Sequence, residues 1–314
     1  MCQYSGEPFR RRSESSTMSL TTPRAAPMPN RDLEEAYAFC EALIRDVDKD
    51  RYLASLFAPA LLRPHLFALY AFSFEVSRVR EVVSEPLPGE VRLQWWRDAL
   101  SGLSQGSAQS NPVSMALLDT IERFRLPVAP LVALIDARIF DLYDDPMPTV
   151  ADLEGYCGET CSALIRLASL ILAGGEDPGG AEAAGHAGVA YAVTGLLRAF
   201  PWHAMRGQVY VPKEYLLAYG ATRDDIASGR GGPGVLSAMA DMRQLARHHL
   251  ARTRDLRSTI APEIAPAFLP TSLVETYLRR MEKQDYDPFT TVIQAPQWHR
   301  QWQIWRQARR AMRG

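Results

Sequence analysis

Residues His186 to Pro212 read HAGVAYAVTGLLRAFPWHAMRGQVYVP, and this segment is the most informative part of the chain. Its first half is rich in Gly and Ala, which predicts a helix that neighbouring backbones can approach closely. The ring of Pro201 removes a backbone donor and clashes with the preceding turn, so the helix should break there. Arg198 and Arg206 flank the break and could together hold an anionic group. The alternative is that each pairs with an acidic side chain of a neighbouring helix.

The composition indicates a globular protein with a large core. The chain has 314 residues, 47% of them hydrophobic, and a formal net charge of −1. That balance gives no general attraction to nucleic acid, and no uncharged apolar run approaches the roughly 20 residues of a membrane-spanning helix. We expect a cytoplasmic protein with peripheral contact to an inner membrane as a further option, and a bacterial rather than a mitochondrial one.

The N-terminal segment 1–29 is predicted to be disordered, because it is rich in Ser, Thr, Arg and Pro. Met18 is as good a start as Met1. From Asn30, a candidate helix cap, to residue 314 the pattern predicts one domain.

The periodicity of this domain is almost wholly helical, with no alternating run long enough for a strand. Pro86, Pro88 and Gly89 are expected to end a helix rather than to begin one. The sequence therefore predicts an all-α fold of about ten or more helices around one core. The main predicted helices span residues 65–83, 90–103, 113–124, 131–143, 150–172, 236–257 and 273–283.

The segment around Arg206 resembles the second signature of the squalene/phytoene synthase family, in which a helix carrying two aspartates leads into Arg-Gly-Arg-x-Tyr-x-Pro. The residues that match it are Arg198, Arg206, Gly207, Tyr210 and Pro212. The resemblance extends from about Asp48 onward and implies an isoprenoid-synthase helical bundle around a central cavity. It also implies candidates for binding a substrate, namely Arg51, Tyr70, Arg198, Arg206 and Tyr210.

In that family two Asp-rich motifs face each other and hold Mg²⁺, which binds the diphosphates of two prenyl substrates joined head to head. Here the positions of the second pair hold Ala199 and His203, and the first motif reads Ser77-Arg-Val-Arg-Glu81. A site that has lost three of four aspartates and gained arginines should bind Mg²⁺–diphosphate badly. We therefore expect no cofactor, and Mg²⁺ only if the protein is an active synthase.

Other acidic residues could stand in for the lost ones. Weak candidates for a metal site are Glu81, Asp136 and Asp141, with Glu75 as a further acid. The interpretation we favour is that these acids pair with arginines inside the bundle. His203 as a metal ligand would suit zinc better than magnesium.

These substitutions are similar to those of a divergent branch of the family, which includes a mitochondrial factor needed to assemble respiratory complex I and alphaproteobacterial relatives. The first hypothesis is thus a non-catalytic assembly or prenyl-lipid-binding factor, with respiratory-complex subunits and a prenyl lipid or prenyl diphosphate as candidate partners. The alternative is an active head-to-head prenyl synthase with a rearranged metal site that uses Glu81, with Asp136 or Asp141 as a further ligand.

The C-terminal tryptophans allow a third hypothesis. Trp298, Trp302 and Trp305 recur at helical spacing among arginines, which is the pattern of a helix that lies on a membrane surface. Packing of the three rings into the core is the more frequent outcome for such a pattern.

Overall fold

The computed structural model describes residues 31–103, 108, 110–143 and 145–311. Across these ranges the chain forms helices and connecting turns without a strand, which confirms the predicted all-α class. The segment 1–29 and the Asn30 cap lie outside the described residues.

The chain forms many helices, and most of them are short because prolines and glycines interrupt the helical segments. The α-helices with described bounds are α1 (Arg31–Val47), α2 (Lys49–Ser55), α3 (Arg63–Ser77), α4 (Val79–Val82), α5 (Pro86–Leu100), α6 (Pro112–Phe124), α7 (Ala129–Ala137), α8 (Val150–Cys157), α9 (Ala163–Leu172), α10 (Ala181–Arg198), α11 (Phe200–Met205), α12 (Lys213–Ala218), α13 (Arg223–Ala227), α14 (Pro233–Asp255), α15 (Ala265–Phe268), α16 (Val274–Arg280) and α17 (Gln297–Ala311). Shorter 3₁₀ turns occupy Phe140–Leu142, Arg257–Thr259, Pro262–Ile264 and Leu269–Leu273, and a π-helical turn occupies Gly158–Ser162.

Two predicted boundaries near the first motif are wrong. Pro86 begins helix α5 instead of ending the preceding one, since a proline in the first turn lacks only a donor that would have no partner there. The helix predicted over 65–83 is broken at Arg78, where the backbone turns at φ −85° and ψ −1°. Ser77 and Glu81 consequently do not share one continuous helix.

The segment 131–143, predicted as one helix, also divides. Helix α7 ends at Ala137, and the 3₁₀ turn Phe140–Leu142 follows it. This tighter turn contains Asp141, which is only 5% exposed. The break therefore positions a carboxylate inside the protein.

The segment 150–172 is interrupted by the π-helical turn Gly158–Ser162, which the periodicity did not predict. Helix α10 packs against this turn. A Cβ atom at Gly188 would overlap the backbone of Ser162, so glycine is required for the close approach. The small residues of α10 thus perform the role expected from the sequence.

Buried apolar side chains form two clusters. One includes residues of α1, α3, α6 and α9, and the other includes residues of α8, α10, α14 and α16. The prediction of a helix break at Pro201 is confirmed, because α10 ends at Arg198 and Pro201 lies in the first turn of α11.

Candidate functional site

A cavity of about 270 Å³ brings together the two altered motifs. Ser77 and Glu81 line it from the ends of α3 and α4, and Ala199 and His203 line it from the α10–α11 break. The cavity therefore occupies the place that the resemblance assigned to the metal and substrate site. The other side chains used below that line it are Arg51, Arg80, Arg138, Asp141, Tyr156, Tyr191, Arg206, Gln208 and Tyr210.

The first motif offers one carboxylate, and an arginine engages it. The Ser77 hydroxyl donates to the Phe74 carbonyl at 2.9 Å, so it is used within its own helix. Glu81 lies 3.3 Å from Arg206 Nη1, and both side chains are about half exposed. This ion pair joins the ends of the two motifs directly.

The second motif contributes a neutral imidazole. Burial in the cavity wall, with Arg206 and Arg138 adding to the effect, lowers the pKa of His203 to about 4 even though Asp141 opposes the shift. The ring lies 4.6 Å from the Tyr210 ring, centroid to centroid. At neutral pH His203 is uncharged and gives the wall no negative charge to replace the family aspartate.

Among the described residues, Asp141 is the only other carboxylate that lines this cavity, and both of its oxygens already accept hydrogen bonds. It accepts hydrogen bonds from the hydroxyls of Tyr210 at 2.7 Å and Tyr156 at 2.8 Å, and Arg138 Nη1 donates to it at 2.9 Å. Gln208 Nε2 donates to its backbone carbonyl at 2.9 Å. Asp141 therefore holds three segments of the cavity wall together.

The three side chains that donate to Asp141 are two neutral tyrosines and one charged arginine. Burial raises the pKa of the Tyr156 and Tyr210 hydroxyls, with the charge of Asp141 adding to it, so both remain protonated and donate. Burial opposes the charge on Arg138, but contact with Tyr156 and Asp141 keeps its pKa above the usual value. Arg138 is a permanent cation at the cavity.

Arg51 and Tyr70, both predicted to contact a substrate, lie together. Arg51 projects between the rings of Tyr70 and Tyr191, with its guanidinium carbon 5.2 Å and 5.3 Å from their centroids. Its Nη1 lies 3.3 Å from Asp48. Aromatic faces and one carboxylate thus stabilise a cation in the cavity wall.

Two other predicted site residues lie elsewhere. Arg198 does not line this cavity: its Nη1 is 3.6 Å from Asp50, and its guanidinium stacks 3.9 Å from the Tyr277 ring centroid. Arg198 and Arg206 therefore do not converge on one anion. Asp136 is paired with Arg97, also outside the cavity. Arg198 thus pairs with an acid of a neighbouring helix, as the alternative held, whereas Asp136 forms its ion pair at a half-exposed position and not inside the bundle.

The donor set does not fit Mg²⁺. Four arginines and two carboxylates line the cavity, and each carboxylate already contacts an arginine. Within the described ranges, no group of three or more His, Cys, Asp or Glu residues is arranged to hold a metal ion. Because a hard cation needs unpaired oxygen ligands, the cavity suits an anion better than a metal.

Sequence reasoning missed Arg138, Tyr156 and Tyr191 as site residues. Arg138 stands three positions before Asp141, a spacing that allows an ion pair, and this was the available signal. The contacts of Tyr156 and Tyr191 depend on how separate helices pack, which spacing does not reveal.

Comparison with known proteins establishes the class. The squalene/phytoene synthase family matches residues 44–306, and the chain belongs to that family. The crystal structure of a squalene synthase from Alicyclobacillus acidocaldarius superposes with a TM-score of 0.68 at 27% identity, over 83% of this chain and 98% of that one. The predicted isoprenoid-synthase bundle is thereby confirmed.

Of two relatives of this chain, one is named as an assembly factor and the other as an enzyme. The chain is 30% identical to complex I assembly factor 6 of Rattus norvegicus over 288 residues, which is 92% of this chain and 86% of that protein. It is 26% identical to the 15-cis-phytoene synthase of Synechocystis over 296 residues, which is 89% of this chain and 86% of that enzyme. The predicted resemblance to the assembly-factor branch is confirmed.

Over the described residues, no helix combines the length and the apolar character needed to cross a bilayer.

Proposed function

We propose that this protein is a non-catalytic member of the family that assists assembly of the NADH dehydrogenase (ubiquinone) complex. The observation that carries the proposal is the cavity wall itself. Ser77, Ala199 and His203 stand there in place of aspartates, and Glu81 is paired with Arg206. The name of the rat relative supports the assembly role.

Electrostatics argues against prenyl transfer at this site. Ionisation of a diphosphate ester needs cations that neutralise the leaving group, and Mg²⁺ would have to displace arginines from Glu81 and Asp141 to bind here. Arginines alone can hold a diphosphate, yet the sites that bind drug-sized ligands typically span roughly 300–1,000 Å³. At about 270 Å³ the cavity lies just below that range, so it accommodates the anionic head of one substrate rather than two prenyl substrates together.

The cavity supports binding of one anionic group. Arg51, Arg138 and Arg206 approach it from three different segments, and aromatic rings flank the first of them. A prenyl diphosphate or a related prenyl lipid with an anionic head has the chemistry to fit this wall. Such a ligand would be bound but not converted.

The assembly role is tested by genetics. Deleting the gene in the source organism should lower the amount of assembled NADH dehydrogenase in its membranes, measured by native gel and by NADH oxidation. The wild-type gene should restore it, Arg51→Gln should restore it poorly, and Arg45→Gln, which removes an arginine on α1 that does not line this cavity, should restore it fully. Normal assembly in the deletion strain would exclude the role.

The absence of catalysis has its own test. Purified protein is incubated with farnesyl or geranylgeranyl diphosphate and Mg²⁺, and the extract is analysed by mass spectrometry beside an active squalene synthase. We expect no condensed hydrocarbon. Formation of product at a rate like that of the control, abolished by Glu81→Ala, would establish the alternative of an active synthase.

A further inference from the structure

The last helix carries an exposed aromatic face. In α17 the side chains of Arg300, Ile304 and Ala308 face the protein and are buried. Trp298, Trp302 and Trp305 are 69%, 45% and 45% exposed. At about 100° per residue these three rings fall on the side of the helix that faces away from the core. The expectation of core packing is therefore wrong.

The same face is basic. The guanidinium carbons of Arg306 and Arg309 lie 4.5 Å and 4.8 Å from the ring centroids of Trp302 and Trp305. Helix α17 contains no acidic residue. Exposed indole rings with arginines over them combine an apolar surface with positive charge, as helices at a lipid–water interface do.

A second cavity, of about 720 Å³, opens beside this face. Its apolar lining includes Leu250, Phe268 and Leu269, which are buried. Its cationic lining consists of Arg254, Arg257, Arg306 and Arg310, and none of its described lining residues is acidic. Arg306 belongs both to this cavity and to the aromatic face, so the two features form one surface.

The four arginines have no anionic partner in the part of the protein that the structure describes. Over the described residues, none of them lies within 4.0 Å of a carboxylate, although most other arginines of this chain do. Arg306 donates to the Gln303 side chain at 2.8 Å, and Arg257 donates to the Arg310 carbonyl at 2.6 Å. Among the residues that the structure describes, no carboxylate offsets their charge.

We propose that this surface docks on an anionic lipid bilayer. The three tryptophans enter the interfacial region, and the arginines of the second cavity bind lipid phosphates, with an acyl chain against its apolar floor. Charge complementarity favours lipid over a protein partner, because the arginines are spread around an apolar opening, as an anionic amphiphile requires. This inference is independent of the proposed assembly role and of the central cavity.

Vesicle flotation of the full chain tests the proposal. Vesicles of phosphatidylcholine alone are compared with vesicles in which a third of the lipid is phosphatidylglycerol. The variants are Trp298→Ser/Trp302→Ser/Trp305→Ser and Arg254→Gln/Arg310→Gln. Two control variants remove exposed apolar or positively charged side chains from other parts of the surface. They are Leu61→Ser/Leu87→Ser/Val91→Ser, at three exposed apolar positions, and Arg31→Gln/Arg45→Gln.

The wild type should float with the anionic vesicles and much less with the neutral ones. Loss of two arginines near an anionic surface should weaken binding by about thirtyfold, at roughly 1 kcal/mol for each charge. The tryptophan variant should lose about tenfold or more, and both controls should bind as the wild type does. Inorganic phosphate at the concentration of lipid headgroups should not compete, since the docking site is the bilayer.

Fluorescence provides a second measurement, which reports where the tryptophans lie rather than how much protein floats. Lipids brominated on their acyl chains should quench the tryptophans of the wild type, and this quenching should largely disappear in the triple tryptophan variant while its melting temperature stays unchanged. Absence of wild-type flotation, equal binding to neutral vesicles, or undiminished binding of both surface variants would overturn the proposal. Binding of the surface only to a protein would do so as well.

Discussion

Two buried aspartates, Asp50 and Asp141, have similar surroundings but join different parts of the molecule. Each is about 5% exposed, and each accepts a hydrogen bond from tyrosine and contacts arginine. Asp141 binds Arg138, only three residues away, and the wall of the central cavity. Asp50 lies 2.6 Å from Arg300 and 3.6 Å from Arg198, so it ties α2 to the last helix and to α10.

The comparison shows which role the buried carboxylates have in this member of the family. On the Asp50 side the carboxylate neutralises two arginines and secures the bundle. On the Asp141 side the carboxylate organises a wall from which arginines reach the cavity. The carboxylates serve packing on both sides, and the cavity is left with positive charge.

The largest expected effect follows from Asp50→Ala. The substitution leaves Arg198 and Arg300 partly or wholly buried without their counter-charge, which typically destabilises a protein by about 3–5 kcal/mol. Urea unfolding should show a loss of about 4 kcal/mol. Asp46→Ala, at an exposed neighbouring acid, should change stability by less than about 0.5 kcal/mol. Equal values for the two variants would contradict the role assigned to Asp50.

A somewhat smaller loss, about 3 kcal/mol, is expected for Asp141→Ala, because Arg138 lines the cavity and water can partly replace the lost carboxylate. Asp136→Ala is the matched control, since Asp136 also pairs with an arginine but lies partly exposed outside the cavity, and it should cost about 1 kcal/mol or less. If the control loses as much as Asp141→Ala, burial is not what distinguishes the two acids.

The cavity side should respond to pH through His203. Its folded pKa of about 4 lies below the unfolded value of about 6.5, so the unfolded state binds the extra proton first. Stability should therefore fall as the pH drops from about 7 through 6.5 toward 4. Changing His203 to Asn should remove about 2 kcal/mol of the difference between pH 7 and pH 5.

His65, whose pKa burial also lowers to about 4, supplies the reference for this measurement. His65→Asn should reduce the pH dependence by a similar amount without touching the cavity. An unchanged pH profile for His203→Asn would mean that His203 is not held neutral in the wall.

The smallest effect on stability belongs to Glu81→Gln, which breaks a half-exposed ion pair worth less than about 1 kcal/mol. The same change makes the cavity more positive, so pyrophosphate measured by calorimetry should bind about fivefold more tightly without Mg²⁺. A metal ligand would behave in the opposite way, and weaker, Mg²⁺-dependent binding in the variant would favour the synthase alternative.

Local patterns predicted most of the fold. Apolar spacing placed the long helices, and Pro201 predicted the break that carries Ala199 and His203 into the cavity. The same local rules were wrong at Pro86, because a proline that ends one helix is equally suited to begin the next. The break at Arg78 has no comparable signal in the sequence.

The candidate site was predictable only in part. The missing aspartates at Ser77, Ala199 and His203 could be read from the motif, since position in a motif is a property of the sequence. The position of Arg198 outside the cavity could not be predicted, because its partner Asp50 lies in a segment that is distant in the sequence. The tryptophans of α17 were misjudged because the face of a helix that is buried depends on its neighbours, here through Arg300 and Ile304.

The π-helical turn Gly158–Ser162 has a consequence for the inner surface of the bundle. It accommodates one residue more than a regular turn, so α9 is rotated by about 100° relative to the phase that α8 would otherwise impose. Deleting a single residue here would restore a regular α-helix. It would also rotate Thr160 and Cys161 away from the central cavity, which they now line. The shape of the central cavity therefore depends on the number of residues in this turn as well as on which residues they are.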